Sequence, residues 1–282
     1  MPYICGQCRT GFPGFSLACP ECGGWNTLKP DLRMSGPGGA RPVALPAVGS
    51  PLIPRIRTNV DQLDRMLGEG FVPGSSVLLT GPPGAGKSTL LLQVLKSMKT
   101  SSLYVSGEES VQQIKLRADR LGVNSRRIFL LFEMNVKKMA RHIDELKSKV
   151  VVIDSIQTVY TDTSDTLPGS STQIRKCTYI LRRLAQQRDF VLILVGQVTK
   201  ARTAAGPKLL EHAVDVVLSL DAEKEQSQQR NLSALKNRFG STGPGAVLLM
   251  SGAGLLFAPD RGLAGYPGGP GGARSPIRAK RC

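Results

Sequence analysis

A glycine-rich segment between Gly81 and Thr89 has the residue types that bind nucleotide phosphates. It reads GPPGAGKST and matches the spacing GxxxxGK[ST], in which successive backbone N–H groups wrap a phosphate where a helix begins. Lys87 would reach the β- and γ-phosphates of ATP, and the Ser88 hydroxyl would ligate Mg²⁺. The candidate nucleotide-binding residues are Gly81, Pro82, Pro83, Gly84, Ala85, Gly86, Lys87, Ser88 and Thr89.

An aspartate at the end of an aliphatic run is the second candidate for this site. Residues 149–155 read KVVVIDS, which predicts a buried strand that delivers Asp154 to the carboxyl edge of a parallel sheet. A carboxylate there can hold a water molecule on Mg²⁺. Ser88 and Asp154 are therefore the residues that we expect around the magnesium ion.

Hydrolysis of a nucleotide also needs a group that activates or orients water. Glu108 and Glu109, in the segment SGEES, follow another predicted strand and should reach the same sheet edge. We expect one of them to face the γ-phosphate and the other to cap the helix that begins there. Gln197, just after a strand, is placed to sense the γ-phosphate, although an ordinary loop glutamine would give the same pattern.

Four cysteines near the N-terminus have the spacing of a metal site. Two CxxC pairs are separated by ten residues, and four thiolates around Zn²⁺ make a closed structural site; a redox role for either pair is the alternative. In so small a module the metal would supply most of the folding energy, on the order of 10 kcal/mol or more, with Phe12, Phe15 and Trp25 as a small core. The candidate zinc ligands are Cys5, Cys8, Cys19 and Cys22.

The elements that must position these residues alternate along the chain. Aliphatic runs at 76–80, 103–105, 128–132, 150–153 and 191–195 predict strands, and helical patterns lie at 87–99, 109–120, 137–147 and 173–188. Later strands at 214–220, 232–236, 246–250 and 255–257 have short connections. The pattern predicts an α/β fold: a mostly parallel sheet flanked by helices, with an antiparallel extension.

Composition divides the chain into four zones. We predict a zinc-binding module over 1–28, a flexible Pro/Gly-rich linker over 29–57, an ATPase domain over 58–257 and a disordered basic Gly/Pro-rich tail over 258–282. The 37 basic and 21 acidic side chains leave a net charge of +16, which favours a polyanionic partner, either nucleic acid or an anionic membrane surface.

Membrane, collagen and disulfide-scaffold classes do not fit this composition. No apolar run approaches the length that spans a bilayer, and the first residues, MPYICGQC, do not resemble a signal peptide. We therefore expect a cytoplasmic protein, where the cysteines would not be paired as disulfides.

Several segments together resemble the bacterial RadA (Sms) family of DNA repair proteins. They include the four-cysteine start, LDRMLGEGFVPGS before the phosphate loop, YVSGEES, VVIDSIQT, VGQVTK and KNRFGST. The matching motifs run from Tyr3 to about Phe257. The pentapeptide KNRFG, Lys236 to Gly240, together with the cysteine pairs is the most specific part of the resemblance.

This resemblance implies a RecA-like ATPase that works as a ring, a hexamer, on single-stranded DNA and drives branch migration of recombination intermediates with a recombinase partner. It implies that Glu108 activates water and that Lys236 and Arg238 reach the ATP of a neighbouring subunit. The family continues into a Lon-protease-like domain, whereas the residues after Phe257 here have no strand pattern.

Two basic loop segments are candidates for contacting DNA. Thr163–Arg175 ends in Arg175, followed by Lys176, and Thr199–Lys208 is short and basic. Phosphate contacts from such loops would give salt-dependent, largely sequence-independent binding; solvated surface loops are the alternative. The cations of the second segment are Lys200, Arg202 and Lys208.

Two other functions compete with a DNA-stimulated ATPase. A non-motor accessory protein could bind ATP and nucleic acid with little turnover. A RecA-like ATPase of the circadian-clock type would share the approach to the phosphate loop, but the cysteine pairs and KNRFG argue against it.

Overall fold

The computed structural model describes residues 3–30, 43–47, 54–162, 166–197, 210–222 and 227–259. A small N-terminal sheet contains strands β1 (Tyr3–Cys5), β2 (Gly11–Phe12) and β3 (Leu28–Pro30). The three strands are antiparallel, in the order β2-β1-β3. A short 3-10 helix covers Leu45–Ala47.

A nine-stranded sheet with helices on both faces forms the larger part of the molecule. Its strands are β4 (Ser76–Thr80), β5 (Ser102–Ser106), β6 (Ile128–Phe132), β7 (Val150–Asp154), β8 (Val191–Val195), β9 (Val216–Ala222), β10 (Gln229–Asn237), β11 (Ala246–Ser251) and β12 (Gly254–Phe257). The helices are α1 (Asp61–Leu67), α2 (Lys87–Ser97), α3 (Val111–Arg120), α4 (Val136–Leu146) and α5 (Ser171–Arg188).

The strand order is β12-β11-β10-β9-β4-β8-β7-β5-β6. Strands β4 to β9 pair in parallel, and β10, β11 and β12 extend the sheet in antiparallel fashion beyond β9. The predicted fold class, a mostly parallel sheet flanked by helices with an antiparallel extension, is therefore confirmed.

The central strands are aliphatic because both of their faces are covered. Every residue of β4, β5 and β8 is buried. Alternate residues point into two apolar layers: one contains side chains of α1, α2 and α3, and the other contains those of α4 and α5. Burial on both faces explains why these strands read as continuous apolar runs and not as alternating ones.

Helix α1 was not predicted, because it has only seven residues and begins without a side-chain cap. Its N-cap, Val60, makes no capping hydrogen bond. The segment that leads into α1 is stabilised instead by Asp64. Its Oδ1 accepts hydrogen bonds from the backbone N–H and the hydroxyl of Thr58, both at 2.8 Å. Gly68, in the left-handed conformation at φ 75°, ends the helix.

Ordered contacts extend into both ends of the predicted linker. Strand β3 continues to Pro30, and Arg55 donates hydrogen bonds to the carbonyl oxygens of Leu67, Gly70 and Phe239 at 2.9–3.2 Å. Most of the residues between these ends, and residues 260–282 of the predicted tail, lie outside the described part of the chain. The four zone boundaries remain predictions.

Within the part of the chain that the structure describes, no helix combines the length and the apolar character that crossing a membrane would require.

Candidate nucleotide and metal sites

The phosphate loop lies between β4 and α2, at the carboxyl edge of the sheet. It leaves the strand at Gly81, where an added Cβ would lie 2.2 Å from the carbonyl oxygen of Leu220 on β9. Gly86, the N-cap of α2, has φ 99°, which favours glycine. A glycine is therefore required at both ends of the turn, by a close backbone approach at one and by backbone conformation at the other.

Lys87 and Ser88 open helix α2 and point in different directions. The Lys87 amine donates hydrogen bonds to the carbonyl oxygens of Gly81 and Pro82 at 2.8 and 2.9 Å, and burial lowers the pKa of this lysine from its usual value. The Ser88 hydroxyl donates to Asp154 Oδ2 at 2.6 Å. The two predicted magnesium residues are thus brought into direct contact across the sheet edge.

Asp154 has a further partner that the sequence analysis missed. The hydroxyl of Tyr104, on β5, also contacts Asp154 Oδ2. Tyr104 is fully buried, and from the sequence it reads as one more apolar residue of a strand. Two hydroxyl groups therefore share one oxygen of the carboxylate.

Glu108 lies at the same edge and has two polar neighbours. Ser155 donates its hydroxyl proton to Glu108 Oε1 at 2.6 Å, and Gln197 Nε2 lies 3.3 and 3.4 Å from the two carboxylate oxygens. Gly107 allows this turn to pack closely, since a Cβ there would lie 2.1 Å from Thr158 Oγ1. Glu108 and Gln197, which were predicted separately, are in contact.

Glu109 does not cap helix α3, and that expectation was wrong. Ser110 is the N-cap, accepting a hydrogen bond from the backbone of Gln113 in a reciprocal capping box. Glu109 instead pairs with Arg117, in the second turn of the helix, with an Oε2 to Nη1 distance of 2.7 Å. The salt bridge neutralises Glu109, whereas no described cation lies within salt-bridge distance of Glu108.

A cavity of about 400 Å³ joins these groups. Its lining includes nine of the predicted site residues: Pro83, Gly84, Gly86, Lys87, Ser88, Thr89, Glu108, Asp154 and Gln197. It also includes Arg117, Arg120 and Met250, which the sequence analysis did not consider. The two arginines are three residues apart on the helix that follows SGEES. This spacing places two cations on one face of the helix, and it could have been recognised from the sequence. The arrangement can hold a phosphorylated ligand between α2 and a set of carboxylates.

Lys236 and Arg238 lie away from this cavity, at the end of β10. The Lys236 amine donates to the carbonyl oxygens of Glu211 and Val214, both at 2.7 Å, and burial, together with the charge of Arg238, lowers its pKa. Arg238 is half-exposed and donates to Asp215 Oδ1 at 3.1 Å. Neither residue lines the cavity.

The two predicted DNA-contacting segments are only partly described. Arg175 and Lys176 are exposed in the first turns of α5. Residues 163–165 and 198–209 lie outside the described part, and with them Lys200, Arg202 and Lys208.

The four predicted cysteine ligands converge in the N-terminal sheet. Their sulfurs all lie within 4.8 Å of one another, so the cluster could hold a metal ion. The Sγ–Sγ distance is 3.7 Å between Cys5 and Cys22, and 3.6 Å between Cys8 and Cys19. A tetrahedral zinc ion with Zn–S bonds of about 2.3 Å would place its sulfurs about 3.8 Å apart. The donor set and its spacing fit zinc.

The pKa values of these thiols depend on their hydrogen bonds and on the close approach of the four sulfurs. A hydrogen bond with the Thr27 hydroxyl lowers the pKa of Cys5 to about 6. At Cys22 a backbone hydrogen bond from Gly24 lowers the pKa, but burial and the neighbouring sulfurs outweigh it and raise the pKa to about 12. Four thiolates at this spacing need a cation among them, since like charges raise one another's pKa.

The cysteine module packs on the larger domain through α4 and α5. The guanidinium of Arg183, on α5, lies 3.6 Å from the ring centroid of Phe15 and donates hydrogen bonds to the hydroxyl oxygens of Tyr3 and Tyr179, both at 3.0 Å. Phe15 and Trp25 pack partly against the core of the larger domain. Of the aromatic residues predicted as the core of the module, Phe12 packs only within it, whereas Phe15 and Trp25 contact the larger domain.

Comparison with known proteins defines the class of the larger domain. A family model described as an AAA domain matches residues 55–203, more than half of the chain. The chain therefore belongs to the AAA domain family. A KaiC-like protein from Pyrococcus horikoshii OT3 shares the fold, with a TM-score of 0.60 at 21% identity over 73% of this chain and 100% of that chain.

The resemblance to RadA is confirmed by relatives of known name. The DNA repair protein RadA of Halalkalibacterium halodurans is 42% identical over 93% of this chain and 63% of that protein. The DNA repair protein RadA of Bacillus subtilis is 41% identical over 90% of this chain and 58% of that protein. The chain spans about three fifths of the length of these curated relatives.

The cysteine cluster should bind zinc. We expect elemental analysis of the purified chain to find about one zinc ion per chain, and Cys8→Ser to lose most of it because three sulfurs hold the ion less tightly. Cys177→Ala is the matched control, since Cys177 is buried in α5 away from the cluster. Folded wild-type protein without metal would contradict the assignment.

The contact at Arg183 should hold the cysteine module on α5. Trp25 is the only tryptophan, so its fluorescence reports docking directly. A guanidinium on aromatic rings is worth about 0.5–2 kcal/mol, and Arg183→Ala should therefore raise the acrylamide quenching constant of Trp25 about twofold. Arg175→Ala, an exposed change on the same helix, is the control; equal quenching in both variants would argue against the docking role.

Proposed function

We propose that this chain is a DNA-stimulated ATP hydrolase that acts on single-stranded DNA and recombination intermediates. The observation that carries the proposal is the Ser88–Asp154 hydrogen bond at a cavity that Glu108 also lines. A phosphate loop, a metal-orienting carboxylate and a carboxylate with no ion-pair partner among the described residues are the parts that ATP hydrolysis requires. The AAA family match supports the ATPase, and the named relatives support a role in DNA repair.

In the proposed mechanism the phosphate loop binds ATP through backbone N–H groups and Lys87. Ser88 and Asp154 would hold Mg²⁺, which offsets the charge of the β- and γ-phosphates when it is bound. Ser88 can keep donating its proton to Asp154 while its oxygen faces the ion. The positive end of α2 adds to the attraction for phosphate.

Glu108 is the proposed general base. Its carboxylate accepts a proton from water, the water oxygen attacks the γ-phosphorus, and ADP leaves with the bridging oxygen. The hydrogen bond from Ser155 and the nearby amide of Gln197 support this role because they limit the orientations of the carboxylate. Glu109 is an unsuitable base because Arg117 holds it.

Lys236 and Arg238 are proposed to act on the ATP of a neighbouring subunit in a ring, as the family resemblance implies. Their distance from the cavity of their own subunit supports this reading. The contacts with Val214 and Asp215 would fix both cations at the end of β10. The ring itself, which we take to be a hexamer, and a recombinase partner are part of the same proposal.

DNA is the proposed polyanionic partner for a chain with a net charge of +16. The exposed Arg175 and Lys176 are the described candidates for phosphate contacts, and the segment Thr199–Lys208 is the other candidate. Binding should be salt-dependent and largely independent of sequence. Such a protein would act in the bacterial cytoplasm, with the zinc ion serving a structural role in the N-terminal module.

Single-stranded DNA should stimulate steady-state ATP hydrolysis by the full chain. Lys87→Ala should abolish both the basal and the stimulated rates, because the phosphates lose their principal cation, whereas Lys96→Ala, an exposed change on the same helix, should not. Lys236→Ala should reduce the stimulated rate at least about tenfold if its charge acts in trans.

Hydrolysis that survives Lys87→Ala would place the site elsewhere. ATP binding with negligible turnover in the wild type would favour the non-motor accessory protein.

The two adjacent glutamates should differ in their effect on hydrolysis. Glu108→Gln should reduce kcat by about 10²-fold or more, because a general base contributes about that much, while ATP still binds. Glu109→Gln keeps a hydrogen-bonding partner for Arg117 and should change kcat only a few-fold. Single-turnover hydrolysis and equilibrium ATP binding of both variants provide the test. A larger loss at Glu109 would reverse the assignment.

A further inference from the structure

Tyr104 is buried in the core, where packing does not require its hydroxyl group. The residue is in the middle of β5, paired with Val152 on β7 and with Leu130 on β6. Its side chain is fully buried in the apolar layer that also contains residues of α2 and α3. Phenylalanine would fill the same volume, so packing alone does not account for a tyrosine.

The position of Tyr104 brings its hydroxyl to the metal-orienting aspartate. Tyr104 pairs with Val152, which precedes Asp154 by two residues on β7. The side chains of Tyr104 and Asp154 therefore point to the same face of the sheet. The tyrosine hydroxyl contacts Asp154 Oδ2, which also accepts the hydrogen bond from Ser88. Oδ1 accepts no hydrogen bond from the described residues. The two hydroxyls therefore distinguish the two oxygens of one carboxylate.

The tyrosine hydroxyl is the donor in this contact. The oxygens of an ionised carboxylate only accept hydrogen bonds, so the phenol O–H must donate to Asp154 Oδ2. A hydroxyl that donates to a carboxylate forms one of the stronger hydrogen bonds in proteins. The aromatic ring is held by the strand pairing and the core, which leaves the carboxylate little freedom to turn.

We propose that Tyr104 is a positioning residue of the magnesium site, which holds Asp154 so that Oδ2 receives the Ser88 proton and Oδ1 is left for the hydration shell of the metal ion. The inference rests on the proposed function, because it assumes that Ser88 and Asp154 hold Mg²⁺ with a nucleotide. Partners that orient metal-binding carboxylates contribute tenfold or more to metal affinity. Tyr104 would touch neither the nucleotide nor the metal.

Metal binding to the nucleotide-loaded chain tests this role without measuring activity. The variant Tyr104→Phe removes only the hydroxyl. With ADP bound, its Kd for Mn²⁺, measured by electron paramagnetic resonance, should rise about tenfold. Its affinity for ADP in EDTA should stay within about twofold of the wild type. Tyr160→Phe is the matched control, because Tyr160 does not line the cavity, and it should change neither quantity.

The outcomes separate this inference from the proposed function. If the wild type binds Mn²⁺ with ADP and Tyr104→Phe binds it equally well, the positioning role is wrong and the nucleotide site stands. An equal loss of ADP affinity in EDTA would show a merely structural role and would also overturn the inference. If the wild type binds no nucleotide, the proposed function fails first. Tyr104→Leu repeats the test with a second side chain that lacks the hydroxyl, should the phenylalanine variant not fold.

Discussion

The hydrogen bond from Ser88 to Asp154 depends on the register of three parallel strands. Ser88 follows the phosphate loop after β4, Asp154 ends β7, and β8 lies between these strands. The pairing of Leu79 with Val195 and of Ile153 with Leu194 brings the ends of the three strands level. A shift of one residue would turn the side chain at position 154 to the opposite face of the sheet. The cavity, the helix start and the carboxylates all follow from this alignment.

Charge partners distinguish residues that are chemically alike. Glu108 and Glu109 are adjacent, but Arg117 pairs with one of them, while a serine hydroxyl and an amide accompany the other. In the proposed mechanism Arg117 therefore decides which of the two glutamates faces the water molecule, although it was not among the residues that the motifs suggested.

Helix α5 connects several features that lie far apart in the chain. Its first turns expose Arg175 and Lys176, and Arg183 contacts the aromatic residues of the cysteine module. Arg182, one residue earlier, lies 3.7 Å from Asp215, which also accepts a hydrogen bond from Arg238. One helix thus links the cysteine module, the end of β10 and a proposed DNA-contacting surface through short polar contacts.

The sequence by itself determined the class of fold, the phosphate loop, the acidic residues and the cysteine cluster. These features depend on local spacing: a glycine-rich turn before a helix, an aliphatic run that ends in Asp154, and paired CxxC turns each specify their geometry within a few residues. The short helix α1 was not predicted, because seven residues without a capping side chain give little local signal. Tertiary structure alone decided the strand order, the separation of Glu108 from Glu109, the use of Tyr104 and the docking of Phe15 on Arg183. Those contacts join residues that are distant in the chain or distinguished only by their neighbours, and neither periodicity nor spacing encodes which distant side chain a strand or helix will meet.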